Sequence, residues 1–209
     1  KYTDKHFIGM SPLELIGVIF GLLSVYFSVK QNIGTWPTGI VSVSAFGFLF
    51  FNIKLYADMC LQIFFLWSCI QGWYFWLHGG ANRTELKISL LTSKQKTFIA
   101  FAVVACVALI GFLFSRFTDA ALPYLDSTAS GMSVVAQLLM MRKKLEHWYL
   151  WITVDVLSVG IYVYKEVYLT AGLFFVFLIL SSQGLVNWKT LLNAERSEAS
   201  PALAEASSP

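Results

Sequence analysis

The stretch Gln71-Gly72-Trp73-Tyr74-Phe75-Trp76 is answered 112 residues later by Gln183-Gly184-Leu185-Val186-Asn187-Trp188. Both close an apolar segment with the outline Gln-Gly-x-x-x-Trp, which marks an internal duplication. At the same offset Trp36 meets Trp148, Ile40 meets Ile152, Tyr56 meets Tyr168, Leu61 meets Leu173, Phe65 meets Phe177 and Leu66 meets Leu178. Apolar coincidences carry little information in so apolar a chain; the matched Trp, Tyr, Gln and Gly carry much more.

Hydrophobic residues fill 57% of the 209 positions and charged residues 13%, with a mean hydropathy of +0.66. A soluble domain carries about twice that charge fraction, so the chain reads as an all-α integral membrane protein. The net charge of +3 sits in loops and bears on orientation; it does not mark an acidic or nucleic-acid partner. Cys60, Cys69 and Cys106 lie inside apolar segments at spacings that match neither a disulfide framework nor a metal motif. No cofactor or metal site is expected.

A spanning helix needs about 20 mostly apolar residues. Seven segments are predicted: 12–29, 36–53, 56–77, 97–115, 121–141, 148–164 and 168–188. Residues 1–11 form an N-terminal segment, 78–96 the longest polar connection, and 189–209 a disordered tail rich in Ala, Ser and Glu. Equivalent repeat positions lie four crossings apart, so both repeats have the same orientation. The predicted architecture is 3+1+3: a first three-helix repeat over 12–77, a loop and linker helix over 78–120, and a second repeat over 121–188. The first helix aligns poorly with the fifth, and a two-residue shift is expected in the loop that follows. Parallel repeats about an axis along the membrane normal are a transporter design with the substrate between the halves. Five Lys and Arg lie on the N-terminal side of the predicted spans and ten on the other. This places the C-terminus in the cytoplasm.

Polar stripes at helical spacing show which faces turn away from lipid. Trp148, Trp151, Asp155, Ser158 and Tyr162 follow steps of 3 and 4. Asp58, Gln62, Cys69, Trp73 and Trp76 fall within about 60° of one face at 100° per residue. Asp126, Ser130, Ser133 and Gln137 do the same in the fifth segment, and Gln183 and Asn187 are one turn apart in the seventh. Unsatisfied polar groups cost several kcal/mol in hydrocarbon, so these faces are expected to point inward. Asp155 lies mid-segment, where a carboxylate is functional by default; the alternative is helix packing through a neighbouring Ser or Tyr. For Gln62, Gln137, Gln183 and Asn187, bridging between helices competes with substrate contact. Trp36, Trp76, Trp148 and Trp188, near segment ends, are expected to be interfacial anchors. Trp73 and Trp151 lie deeper and are candidates for stacking on a ligand ring. No Lys or Arg falls in the middle of any predicted span, which disfavours a phosphorylated substrate. Indole faces and a carboxylate suit a flat ring that is neutral or cationic, and the amides suit hydroxyls or a carboxamide.

The run from Gly34 to Trp76 contains Trp36-Pro37-x-Gly39, Leu55-Tyr56-Ala57-Asp58-x-x-Leu61-Gln62 and Gly72-Trp73-Tyr74-x-Trp76. With Gln137, Trp148 to Asp155 and Gln183 to Trp188, it resembles the PnuC family of bacterial nicotinamide riboside transporters over about 12–190. The resemblance implies a SWEET-like seven-helix core, a homotrimer in the bacterial inner membrane, and uptake by facilitated diffusion. On that resemblance Trp151 and Trp73 would stack on the pyridinium, and Asp155 would offset its charge or bind hydroxyls. Gln137, Gln183 and Asn187 would hydrogen-bond the ribose or carboxamide, Trp36 and Trp188 would complete the substrate-binding set, and Asp58 and Gln62 would bind substrate or act in a gate. The halves are not equivalent, since Asp155 aligns with Val43 and Asn187 with Phe75. Carriage of another vitamin such as thiamine, or proton coupling through Asp155 or Asp58, are the alternatives within the class. A retinal-type receptor lacks its Lys in 168–188. An intramembrane enzyme lacks a midplane His or Ser/Lys dyad, because His6, His78 and His147 lie at or beyond helix ends.

Overall fold

The computed structural model describes residues 11–117 and 123–206. Among them the chain forms seven α-helices and no strand: α1 (Pro12–Val29), α2 (Thr35–Asn52), α3 (Tyr56–His78), α4 (Ser93–Phe117), α5 (Pro123–Met141), α6 (His147–Tyr164) and α7 (Tyr168–Ala206). Four helices contain stretches long and apolar enough to cross a membrane by length and composition: Pro12–Val29, Asp58–His78, Ser93–Leu113 and Tyr168–Ser197. Helices α5 and α6 are diluted by the serines, amide and aspartates that the stripes had flagged, and α2 by its threonines, serines, glycines and Asn52.

Helix α1 starts where it does because Ser11 and Glu14 form a capping box. The Ser11 hydroxyl accepts from the Glu14 N–H at 3.2 Å, the Glu14 carboxylate accepts from the Ser11 N–H, and Pro12 occupies the first turn. Four helices end in one way. The second residue after the helix turns left-handed at Gln31 (φ 52°), Lys54 (62°), Lys143 (45°) and Glu166 (60°). The next N–H then reaches back five residues: Asn32 to Phe27 O, Leu55 to Phe50 O, Lys144 to Leu139 O and Val167 to Tyr162 O, at 2.8–3.0 Å. This double closure satisfies carbonyls that a helix end leaves bare. It turns the chain in three or five residues, so consecutive helices pack antiparallel. Gln31 and Lys143 are 112 residues apart, as are Lys54 and Glu166, and α2 and α6 match end for end at that offset. The two-residue shift expected after the first helix is therefore absent.

Helices α1, α2, α3, α5, α6 and α7 close a ring in that order, and α4 packs outside it against α5. The outer contact is close because Gly131 lies over the Val107 backbone, where a Cβ would sit 2.8 Å from the amide nitrogen. Small residues permit such approach between helices in a membrane.

The connection 79–92 is more ordered than a polar loop. After a 3₁₀ turn at Ala81–Arg83 it runs along the α5–α6 turn as a strap. The Ser89 N–H donates to Lys143 O and its carbonyl accepts from Leu145 N, both at 3.0 Å. The Glu146 carboxylate accepts from the Leu91 N–H at 2.9 Å, and Lys143 Nζ meets Glu85 at 3.1 Å. The expectation of a disordered 189–209 tail is corrected over 189–206, residues 207–209 lying outside the described residues: α7 continues to Ala206. Its Ala, Leu, Glu and Arg are good helix formers extending an existing helix, which needs no new nucleus. Residues 1–10 of the expected N-terminal segment lie outside the described residues.

Candidate functional site

At one end of the ring, the end of α3, the starts of α2 and α6, and the Gly184–Leu192 stretch of α7 meet. Here Trp36, Trp76, Trp148 and Trp188 are each 2% exposed or less, which overturns their expected role as interfacial anchors. Each ring has a buried place made for it. Trp36 lies across Gly72 and Trp148 across Gly184, so closely that a methyl group at either glycine would overlap the indole. Trp76 Nε1 donates to Met140 O at 3.1 Å, and Trp188 Nε1 donates to Ser28 O at 2.9 Å. Donors and acceptors in these two bonds are again 112 residues apart. Trp76 packs edge-on against Trp36 at 5.2 Å and tilted against Trp188 at 5.9 Å, offset geometries that suit ring quadrupoles. Lys143 Nζ lies 4.6 Å from the Trp76 ring, and His147 fills the space against Trp148 and Trp188 with its Nδ1 2.7 Å from Lys144 O.

Above this floor lies a cavity of about 290 Å³ bounded by both halves of the ring. This is near the lower end of the range for small-molecule sites. One wall carries Val43, Phe46, Phe65 and Cys69; the other carries Gln137, Trp151, Asp155 and Ser181, with Phe174 and Phe177 beside them. Its hydroxyls are mostly committed to backbone. Ser42 donates to Gly17 O at 2.7 Å, Ser24 to Thr35 O at 2.7 Å, and Thr35 to Ser24 O at 2.9 Å. Other polar groups stay free. Among the described residues the indole N–H groups of Trp36 and Trp148 have no acceptor. Asp155, 3% exposed, accepts one hydrogen bond, from Ser181 Oγ at 2.8 Å. The lining thus holds one carboxylate and no Lys or Arg.

Of the ten residues expected to bind substrate, Trp36, Gln62, Gln137, Trp151 and Asp155 line this cavity. Trp188 is spent in the tryptophan cluster below it. Trp73, 38% exposed, and Gln183, also exposed, lie outside the lining, as does half-buried Asn187. The reason is helical phase. The inner half of α3 buries Ser68, Gly72 and Trp76, and α7 buries Ser181, Gly184 and Trp188. Trp73 and Gln183 each stand one residue, about 100°, away from a buried glycine. Asp58 sits in the first turn of α3 at the opposite end of the ring, within electrostatic reach of the ion pair between Lys165 and Asp126 (3.0 Å). Asp126 is engaged there, whereas Ser133 and Gln137 of the same stripe are buried. Sequence reasoning missed Ser181 and Trp148. Ser181 leads Gly184 and Trp188 by steps of three and four, a spacing that already placed it on their face.

The chain matches the family model described as nicotinamide mononucleotide transporter over residues 11–190. It is 31% identical to the nicotinamide riboside transporter PnuC of Escherichia coli (strain K12), with 93% of this chain and 90% of the relative covered. It is 26% identical to the riboflavin/roseoflavin transporter RibM of Streptomyces davaonensis, covering 75% of this chain and 73% of that one. The crystal structure of the vitamin B3 transporter PnuC superposes with a TM-score of 0.71 at 26% identity, covering 87% of this chain and 82% of that chain. With the apolar helices, these matches make the chain a multi-pass bacterial membrane protein, and it belongs to the PnuC family of transporters.

Proposed function

We propose that the protein carries nicotinamide riboside across the bacterial inner membrane by facilitated diffusion. The observation that carries this reading is the cavity between the halves of the ring: aromatic walls, free amides and indole N–H groups, one carboxylate, and no cation. A pyridinium on ribose is a flat cation with hydroxyls and a carboxamide. Indole faces attract such a ring, and Gln137, Gln62 and the Trp36 N–H suit its hydrogen-bonding groups. A nucleotide would bring a phosphate into a cavity that offers it no Lys or Arg partner. The relatives' name, nicotinamide riboside transporter, agrees with the cavity better than the family model's mononucleotide.

The reading extends to architecture: seven spans as 3+1+3 parallel repeats, SWEET-like, with α4 as the linker. Four features support it: the matched ends of α2 and α6, the four left-handed turns in two equivalent pairs, the two equivalent indole bonds and the two glycine–indole contacts. The charge count supports a cytoplasmic C-terminus, which puts the tryptophan floor on the cytoplasmic side. Assembly as a homotrimer and the absence of ion coupling rest on the resemblance. A pH- and sodium-independent uptake that stops at equilibrium in vesicles supports facilitated diffusion, whereas accumulation driven by a proton gradient replaces it with coupling through Asp155.

A flavin cargo is the second reading, favoured by the likeness to RibM; the small cavity favours one ring over three. The test is titration calorimetry on detergent-purified protein, with the mononucleotide, thiamine and riboflavin as competitors. Riboside binding that Trp151→Ala or Asp155→Asn weakens, and that the mononucleotide cannot match, is the expected result. Heat from riboflavin or thiamine and none from the riboside moves the function to that vitamin.

A further inference from the structure

The cavity is asymmetric in a way that follows the repeat. Asp155 and Ser181 line one wall, and at the same offset the other wall has Val43 and Cys69. The carboxylate and hydroxyl on α6 and α7 therefore have an isopropyl group and a thiol as counterparts on α2 and α3. Asp155 and Ser181 are each 3% exposed, and the 2.8 Å bond between them joins Ser181 Oγ to one carboxylate oxygen, Oδ2. The other oxygen, Oδ1, has no partner among the described residues, and the side chain borders the cavity. Trp151 stands one helical turn before Asp155 on α6 and borders the same space.

We propose that Ser181 is a positioning residue that gives the carrier its preference for a cationic ring. A lone Asp side chain can rotate about its terminal torsion and offer either oxygen. The Ser181 bond removes that freedom and leaves Oδ1 facing the cavity beside the Trp151 indole. Charge on the ligand is then met from two sides, by a fixed carboxylate oxygen and an aromatic face. The hydroxyl acts only through Asp155; it neither contacts the ring nor carries charge. The inference rests on the proposed riboside reading and adds to it the selection of charge.

The test compares two ligands of nearly one shape: nicotinamide riboside, whose ring is cationic, and its reduced dihydropyridine form, whose ring is neutral. Both are titrated into wild type, Ser181→Ala, Ser181→Thr and Asp155→Asn in detergent, and uptake of both is followed in proteoliposomes. Wild type binds the cation more tightly. Ser181→Ala loses about tenfold in affinity for the cation, the scale of a hydrogen bond to a charged group, with little change for the neutral ring. Ser181→Thr, which keeps the hydroxyl, restores the preference, and Asp155→Asn abolishes it. An equal loss for both ligands in Ser181→Ala means that the serine only packs, and it overturns the inference; so does an unchanged preference. A wild type that binds neither riboside overturns the substrate reading itself, a result distinct from either of these.

Discussion

Breaking the two equivalent indole bonds should open the cavity through its tryptophan floor, the cytoplasmic side in the proposed orientation, and the structure sets the size of the effect. Trp76 donates to Met140 O at 3.1 Å and Trp188 to Ser28 O at 2.9 Å. Each bond ties one half of the ring to the last turn of the other half's first helix. Trp→Phe removes the N–H and keeps an aromatic ring. The bereft carbonyls are not orphaned, because Met140 O still accepts from Lys143 N and Ser28 O from Gln31 N, both at 3.0 Å. The loss per bond is therefore the net value of a hydrogen bond, about 1 kcal/mol, and not the larger penalty of a bare buried acceptor. One substitution favours the open state about fivefold, and both together about 30-fold. The rings touch, at 5.9 Å between centroids, so some departure from additivity is expected. Cys69 is a native reporter: it lines the cavity and is 5% exposed. With Cys60 and Cys106 replaced by Ser, an impermeant maleimide applied to inside-out vesicles should label Cys69 faster in Trp76→Phe and in Trp188→Phe by similar factors, and fastest in the double variant. Unchanged rates would refute the latch. A response to only one of the two would refute its symmetry, and faster labelling from the opposite membrane face would refute the orientation.

Gly72→Ala and Gly184→Ala should each lower the thermal midpoint in detergent, because the new methyl meets an indole already against the backbone; overpacking of this kind costs about 1–3 kcal/mol. Neutralising either member of the half-buried Lys165–Asp126 pair should cost about 1 kcal/mol or less. Swapping both, in Lys165→Asp with Asp126→Lys, should recover part of it in a double-mutant cycle. Lys143→Met removes both the Glu85 bond and the ammonium over Trp76. A midpoint drop larger than that of Glu85→Gln would assign the excess to the ring contact.

Local signals were the legible part of this chain. Apolar run length placed the first span, and the predicted 12–29 coincides with α1. Asp155 stood out because a carboxylate in an apolar run is costly, and it does border the cavity. The tryptophans near span ends were read with the wrong neighbours. An indole near a span end suits an interface equally well as a core, and only the glycines opposite decide between them. Trp73 and Gln183 lie off the cavity lining through phase: a stripe drawn on a helical wheel does not reveal which of two adjacent residues takes the axis-facing position. Ser181 was hidden because a serine hydroxyl in a membrane helix normally bonds to its own backbone, as Ser182 does to Leu178 O. The helical tail was obscured by a composition shared between solvated helices and disordered segments.

The 79–92 strap joins two parts of the molecule. Through Ser89, Leu91 and Glu85 it is fastened to the Lys143–Glu146 turn of the second half. The equivalent Gln31–Gly34 turn of the first half has no such fastening among the described residues, because after Trp188 the chain runs on as helix. The strap's near end is held as well, since the Leu86 N–H donates to Trp76 O on α3 at 3.1 Å. The strap therefore crosses the seam between the two halves of the ring, and any opening at this end must lengthen it or free one of its ends.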